Sequence, residues 1–212
     1  MQDIVIVGAG GFGREVEWLI ERINKCNLQW NIIGFADDNL EKGTVIGHSK
    51  VVYNIDDLIN TNRKIDVVIA IGNAKVRKEV YNKLKDNLNI VFPNLIDPSV
   101  IIEDIELGKG NIICAGTIIT VNVNIKDFVI INLDCTIGHD DIINNFVTIY
   151  PSVNVSGNVK IDEETEIGTG TQIIQGKVIT KNVIIGAGTV VVKNIEEEGI
   201  YIGVPAKRLE KR

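Results

Sequence analysis

Between Ile101 and Val191 the chain reads IIEDIELGKGNIICAGTIITVNVNIKDFVIINLDCTIGHDDIINNFVTIYPSVNVSGNVKIDEETEIGTGTQIIQGKVITKNVIIGAGTVV, and every sixth residue of it is aliphatic. The series is Ile101, Leu107, Ile113, Ile119, Ile125, Ile131, Ile137, Ile143, Ile149, Val155, Ile161, Ile167, Ile173, Ile179, Ile185 and Val191. In a chain with 45% apolar residues, one fixed phase would do this by chance about once in several hundred thousand tries. The residue two before each of these is usually small or β-branched, as at Thr117, Val123, Cys135, Val147, Thr165 and Thr171. Turn formers such as Gly108, Gly110, Gly138, Gly168 and Gly186 fill the gaps. A period of six suits neither a helix nor a hairpin array. It suits a solenoid of short parallel strands, in which each hexad gives one strand and one turn. Three hexads per coil make about five coils. No residue is inserted or lost along the run, so any chemistry must sit on the corners of the prism. Its flat sides call for a covering partner, and an oligomer is expected.

The first hundred residues lack this period, which predicts two domains, residues 1–95 and 96–212. Asp3 to Val7 is a short apolar run bounded by glycine, the pattern of a buried parallel strand. Gly8-Ala9-Gly10-Gly11-Phe12-Gly13 follows, and Arg14 to Asn24 reads as a helix with Val16, Leu19, Ile20 and Ile23 on one face. A second strand, Asn31 to Ala36, ends at Asp37-Asp38. A third runs from Asp66 to Ile71, through Gly72-Asn73, into a helix near Lys75 to Asp86. A last strand near Asn89 to Phe92 reaches a linker between Pro93 and Pro98. This predicts a small α/β, Rossmann-like nucleotide-binding domain. Glycines after a strand and before a helix let main-chain N–H groups approach a phosphate closely. A dinucleotide, with Asp37 or Asp38 on the ribose, is the first expectation from the spacing. The domain is too short for a full two-half dinucleotide fold, so a mononucleotide or nucleotide-sugar fits better and NAD is not expected.

Charged residues make up 24% of the chain and its net charge is −6. No basic cluster is longer than Lys207-Arg208, which argues against nucleic acid. There is no membrane span and no signal peptide to read, so a cytoplasmic protein is expected. Cys26, Cys114 and Cys135 are scattered without metal-ligand spacing, and no metal is expected. His48 lies in a polar loop and reads as a surface residue. His139 lies on a corner of the prism, followed by Asp140. An imidazole ordinarily titrates near neutrality, so it can take a proton there while a carboxylate fixes its tautomer.

The glycine loop, the hexad run, His139-Asp140, Gly157 and the C-terminal Gly203-Val204-Pro205-Ala206-Lys207 together resemble one group. It is the hexapeptide-repeat family of sialic acid O-acetyltransferases and nucleotide-sugar (4-amino-sugar) N-acetyltransferases. The likeness spans Ile4 to Arg208. It implies a left-handed β-helix, a homotrimer with sites between subunits, and acetyl-CoA as donor. It also implies His139 as general base, Asp140 as the acid that orients it, and Gly157 as a main-chain donor to the thioester oxygen. Asn132 would lie near the acceptor sugar. Gly8, Gly10, Gly11, Phe12, Asp37, Asp38, Gly72 and Asn73 would hold the nucleotide. Thr169 and Ala187 would contact the pantetheine arm, and Lys207 the CoA phosphates. Thr148 departs from relatives with a second histidine there. The loop also departs from the Ala-Ser-Gly-His-Gly of the bacillosamine-type enzymes, so UDP does not carry over. The expected activity is N-acetylation of a nucleotide-linked 4-amino-4,6-dideoxy sugar. Sugar O-acetylation and a non-catalytic, nucleotide-binding scaffold are the alternatives.

Overall fold

The computed structural model describes residues 1–103 and 105–210; Asp104, Lys211 and Arg212, within the expected second domain, lie outside the described residues. The chain divides into two compact units, Met1–Pro98 and Ser99–Arg212.

In the first unit, β1 (Gln2–Val7) sits at the middle of a six-stranded sheet with β2 (Trp30–Ala36), β3 (Val45–Ile46), β4 (Ser49–Tyr53), β5 (Ile65–Ile69) and β6 (Ile90–Val91), in the order β3-β4-β2-β1-β5-β6. All pairings are parallel except β3 with β4. Ile4 to Val7 and the whole of β5 are buried, which explains their unbroken apolar runs. Helix α1 (Gly11–Cys26) buries the expected Val16, Leu19, Ile20 and Ile23. It begins inside the glycine loop, three residues before the expected start at Arg14, because Gly11 to Gly13 already take helical backbone. Helix α2 (Ile55–Ile59) is held by a reciprocal cap between Asn54 and Asp57. It and the β3–β4 hairpin are too short to leave a period in the sequence. Helix α3 (Ala74–Leu84) follows β5.

In the second unit the strands pair in parallel with a register of eighteen residues, as in Ile131↔Ile149, Ile149↔Ile167 and Ile167↔Ile185. Three hexads therefore make one coil. Two faces of the prism are five-stranded sheets. On the third face Gly199–Ile202 adds in parallel to Val183–Ile185, and Lys207–Arg208 folds back antiparallel onto it. The hexad residues from Ile113 to Val191 are all buried, at most 3% exposed, and each buried aliphatic contributes about 1.5–3 kcal/mol.

A second period appears in the backbone. Every sixth residue from Gly110 to Gly188 has positive φ, and only Gly110, Gly116, Gly170, Gly176 and Gly188 among them are glycine. Asn122, Asp134, Asp140, Asn158 and Asn182 suit that conformation. Phe128 and Phe146 do not, but their rings stack with centroids 5.3 Å apart and planes 5° from parallel. Gly110 leaves room for that stack, since a Cβ there would lie 2.5 Å from the Phe128 ring.

A third regularity closes the interior corners. The hydroxyls of Thr117, Thr165 and Thr171 and the thiol of Cys135 donate to the carbonyls of Asn132, Thr180, Gly186 and Tyr150, each fifteen residues on. Residues at this position also accept from the N–H eighteen residues on, as Asn111 does from Val129 at 2.7 Å and Asp141 from Val159 at 2.8 Å.

Candidate functional site

In the first unit, β2 and β5 flank β1, so the loops after these three strands meet at their carboxyl ends. That is where open parallel sheets bind ligands. Gly8 has φ +97°, and Gly13 packs so closely that a Cβ would lie 2.0 Å from the Gly8 carbonyl oxygen. Those two glycines serve the turn itself. Gly10 caps α1 with φ −78°, and a Cβ there would meet no atom within 4 Å. Space above Gly10 is thus open at a helix N-terminus, a setting that favours an anion. Asp37 Oδ2 accepts from the Ala9 N–H at 2.9 Å, fastening this loop to the end of β2. Asp38 Oδ1 accepts from Ile55 N–H at 2.9 Å. Asn73 caps α3, its side chain accepting from Val76 N–H at 3.0 Å. Gly72 precedes it, and its carbonyl, with that of Ile71, accepts from the guanidinium of Arg77 at 2.9 and 2.7 Å. Arg77 is 1% exposed. No spacing in the sequence marked it as the support of this loop.

In the second unit, His139 and Asp140 stand on one corner, both about half exposed. Asp140 has φ +61°, which aspartate tolerates, and turns its carboxylate back onto the ring. His139 Nδ1 lies 2.7 Å from Asp140 Oδ2. The carboxylate can only accept, so Nδ1 carries a proton, and in the neutral ring the lone pair falls to Nε2. Asn122, one coil earlier, donates to Asp140 Oδ1 at 3.2 Å. The hydrogen bond from His139, then that from Asn122, holds the Asp140 carboxyl below its usual range. Asn122 escaped the sequence reading, although its separation from Asp140 is one coil. A shallow groove of about 440 Å³, lined by Ile105, Glu106, Asn122, Asn124, Asp140 and Ile142, runs beside this pair.

Gly157 lies one coil after His139. A Cβ on it would fall 2.4 Å from His139 Nε2, so the imidazole lies across the bare Cα. The Gly157 N–H donates to no protein acceptor among the described residues. Base nitrogen and free amide are thus brought together by the stacking. Thr169 and Ala187 are exposed on a different corner, stacked one above the other. One chain therefore does not bring them beside His139. Asn132 is buried, its Oδ1 accepting from Leu133 N–H at 2.7 Å. Thr148 is buried as well, and Lys207 is exposed. His48 is exposed as expected and pairs with Glu21 at 2.8 Å.

Among the described residues, no helix is long and apolar enough to cross a membrane. Residues 3–84 match the PglD N-terminal domain family. The GDP-perosamine N-acetyltransferase of Escherichia coli O157:H7 is 32% identical over 189 residues, covering 86% of this chain and 82% of that protein. The acetyltransferase domain of PglB from Neisseria gonorrhoeae superposes with a TM-score of 0.88 at 28% identity, over 99% of this chain and 100% of that one. PerB from Caulobacter crescentus, solved with CoA and GDP-perosamine, gives 0.87 at 28% identity over 99% and 98%. With a corner imidazole on a hexapeptide solenoid, a glycine-loop α/β unit and a relative of this identity along most of its length, the chain belongs to the hexapeptide-repeat nucleotide-sugar N-acetyltransferases.

Proposed function

We propose that this protein transfers the acetyl group of acetyl-CoA to the amine of a nucleotide-linked 4-amino-4,6-dideoxy sugar, in surface polysaccharide or glycan synthesis. The arrangement that carries the reading is His139 Nε2, with its lone pair free, lying over Gly157 next to an unused N–H. The CoA and GDP-perosamine bound to PerB support both substrates. His139 takes a proton from the sugar amine as its nitrogen attacks the thioester carbonyl. The displaced electron pair moves to the carbonyl oxygen, which the Gly157 N–H holds, a contact of the kind that contributes about 3 kcal/mol. Collapse expels the CoA thiolate, which recovers the proton from the imidazolium. Asp140 orients the ring and supports its charge. Asn132, with Oδ1 engaged, keeps its amide nitrogen for the acceptor sugar.

The nucleotide belongs to the crevice formed by Gly8, Gly10, Gly11, Phe12, Asp37, Asp38, Gly72 and Asn73 in residues 1–95. Acetyl-CoA belongs to the solenoid of residues 96–212. Thr169 and Ala187 would line the pantetheine arm with main-chain groups, and Lys207 would reach the CoA phosphates. Because Thr169 and Ala187 share a corner that is not that of His139, a complete site needs a neighbouring prism. A homotrimer supplies one. The exposed Ile118, Ile142, Ile174 and Ile184 give its faces something to bury.

The deciding experiment is an acetyl-CoA consumption assay with UDP-, dTDP- and GDP-linked 4-amino sugars, and N-acetylneuraminic acid as control. Turnover of one nucleotide series and none of the control is expected. Turnover of the free sugar alone would favour O-acetylation and leave the glycine-loop crevice without a purpose. Sedimentation should give a trimer at micromolar concentration, whereas a stable monomer would remove the shared site.

Gly10→Val tests the first unit. Its side chain meets open space in the free protein, so the fold should stand. Where phosphate would approach the backbone it collides, and the nucleotide-sugar KM should rise at least about tenfold. The KM for acetyl-CoA should hardly move. Equal loss of both would mean general damage, as is expected of Gly13→Ala, whose Cβ has no room.

A further inference from the structure

Asp141 is a carboxyl group that the reaction above does not use. It follows the His139–Asp140 pair but points inward and is fully buried. It stands at the interior corner position where Thr117, Cys135, Thr165 and Thr171 each donate to the carbonyl fifteen residues on. The accepting half of that device is present: Oδ1 receives the Val159 N–H at 2.8 Å. The donating half is missing, for Oδ2 is enclosed without a partner among the described residues. The carbonyl fifteen residues on from Asp141 is that of Ser156. Among the described residues it receives no main-chain hydrogen bond, and neither do the carbonyls of Asn132, Thr180 and Gly186 that other corner side chains serve. Ser156 C=O and Gly157 N–H belong to one peptide plane.

We infer that Asp141 is held as a neutral carboxylic acid whose Oδ2–H donates to the Ser156 carbonyl, fixing the Ser156–Gly157 peptide with its N–H presented beside His139. An ionised Asp141 would have no proton to offer that carbonyl and would leave a buried charge with one oxygen unsolvated. Burial pushes the Asp141 acid up to about 7, against the opposing pull of the Val159 and Gly138 amides and of His139. Of the charged groups around it, His139 and Asp140 share its turn. On the neighbouring turns, Lys160 is paired with Asp162, and Glu106 accepts from Asn124. Asp141 is thus a positioning residue that acts through the Gly157 amide, and this role rests on the reading of His139 and Gly157 given above.

Asp141→Asn keeps an acceptor and gains a permanent donor, so it imitates the neutral acid. Asp141→Val keeps neither, and valine already fills this position at Val123 and Val159, so the variant should fold. Asp141→Val is expected to lower kcat about 10–100-fold, with the KM for acetyl-CoA little changed. Asp141→Asn and Asp141→Thr should recover most of that turnover. The folded acid titrates above its unfolded value, so its contribution to stability is complete at acid pH and is lost as pH rises through about 7. The melting temperature of Asp141→Asn should therefore exceed that of the wild type by a margin that opens between about pH 4 and 7 and is constant above that. The infrared difference between wild type and Asp141→Asn at pH 6 should show a carboxylic-acid carbonyl band. An ionised carboxylate in that difference, or an Asp141→Asn enzyme as slow as Asp141→Val, overturns the inference. The band is read without turnover and should persist in His139→Ala, so a failure of the catalytic reading leaves a different trace from a failure of this one.

Discussion

Replacing His139 by alanine is expected to lower kcat about 10²–10⁴-fold, with little change in acetyl-CoA binding. The expectation follows from where the ring stands. Nδ1 is committed to Asp140 at 2.7 Å, and Nε2 faces Gly157 with half the side chain open to solvent. A sugar amine is mostly protonated at neutral pH and must shed protons before its nitrogen can bond to the thioester carbon. Without an imidazole at that spot, only water can take the last one. Asp140→Asn should be milder, since it removes the charge that supports the imidazolium but leaves the base nitrogen. The pH profile separates the two residues. Asp140 is held below the usual carboxylate range, first by its hydrogen bond to His139. A depressed acid stays ionised as pH falls until its folded-state value is reached, so any support it gives persists into acid solution. A loss of rate that sets in before that value is reached would then not come from protonation of Asp140. Near-normal turnover by His139→Ala at neutral pH would refute the assignment.

Gly157→Ala should cost on the order of 10²-fold in kcat, the usual penalty for misplacing a reacting group by about an ångström. Gly157 lacks the positive φ that would by itself demand glycine, so the backbone can accept alanine. The obstacle is the new Cβ, at 2.4 Å from His139 Nε2 and 2.6 Å from its Cδ2 and Cε1. The ring must swing off the corner, and Nε2 moves away from Gly157. Thermal stability should change little, because the displaced ring is half exposed. If alanine acts only by moving the ring, then in a His139→Ala background it should cost almost nothing more, since the space is already vacant. A double variant slowed by the product of the two single effects would show instead that alanine disturbs the Gly157 N–H itself.

The repeat was legible because it is a local property restated along the chain. Each hexad needs one aliphatic residue inward and one turn, so Ile113 or Ile143 announces its place without knowledge of any other part. The buried strands at Ile4 and Val67 and the apolar face of α1 were legible for the same reason. His139 and Asp140 could be read as a pair because they are adjacent. Other features depend on which atoms the coils bring together. Gly157 meets His139, and Asn122 meets Asp140, only because a coil takes eighteen residues. Phe128 and Phe146 occupy left-handed corners that their residue type disfavours, and their stacking across one coil compensates. Arg77 serves the Gly72 loop because α3 folds back over it, and Asp37 is tied to Ala9 because β2 lies against β1. The sequence alone determined the period, the two-part architecture and the adjacency of His139 and Asp140, since short-range hydrophobic and turn preferences are written residue by residue. Only the tertiary structure decided which corner each group shares and which amides stay unpaired, since those follow from the register between coils and from burial, which one strand's sequence does not contain.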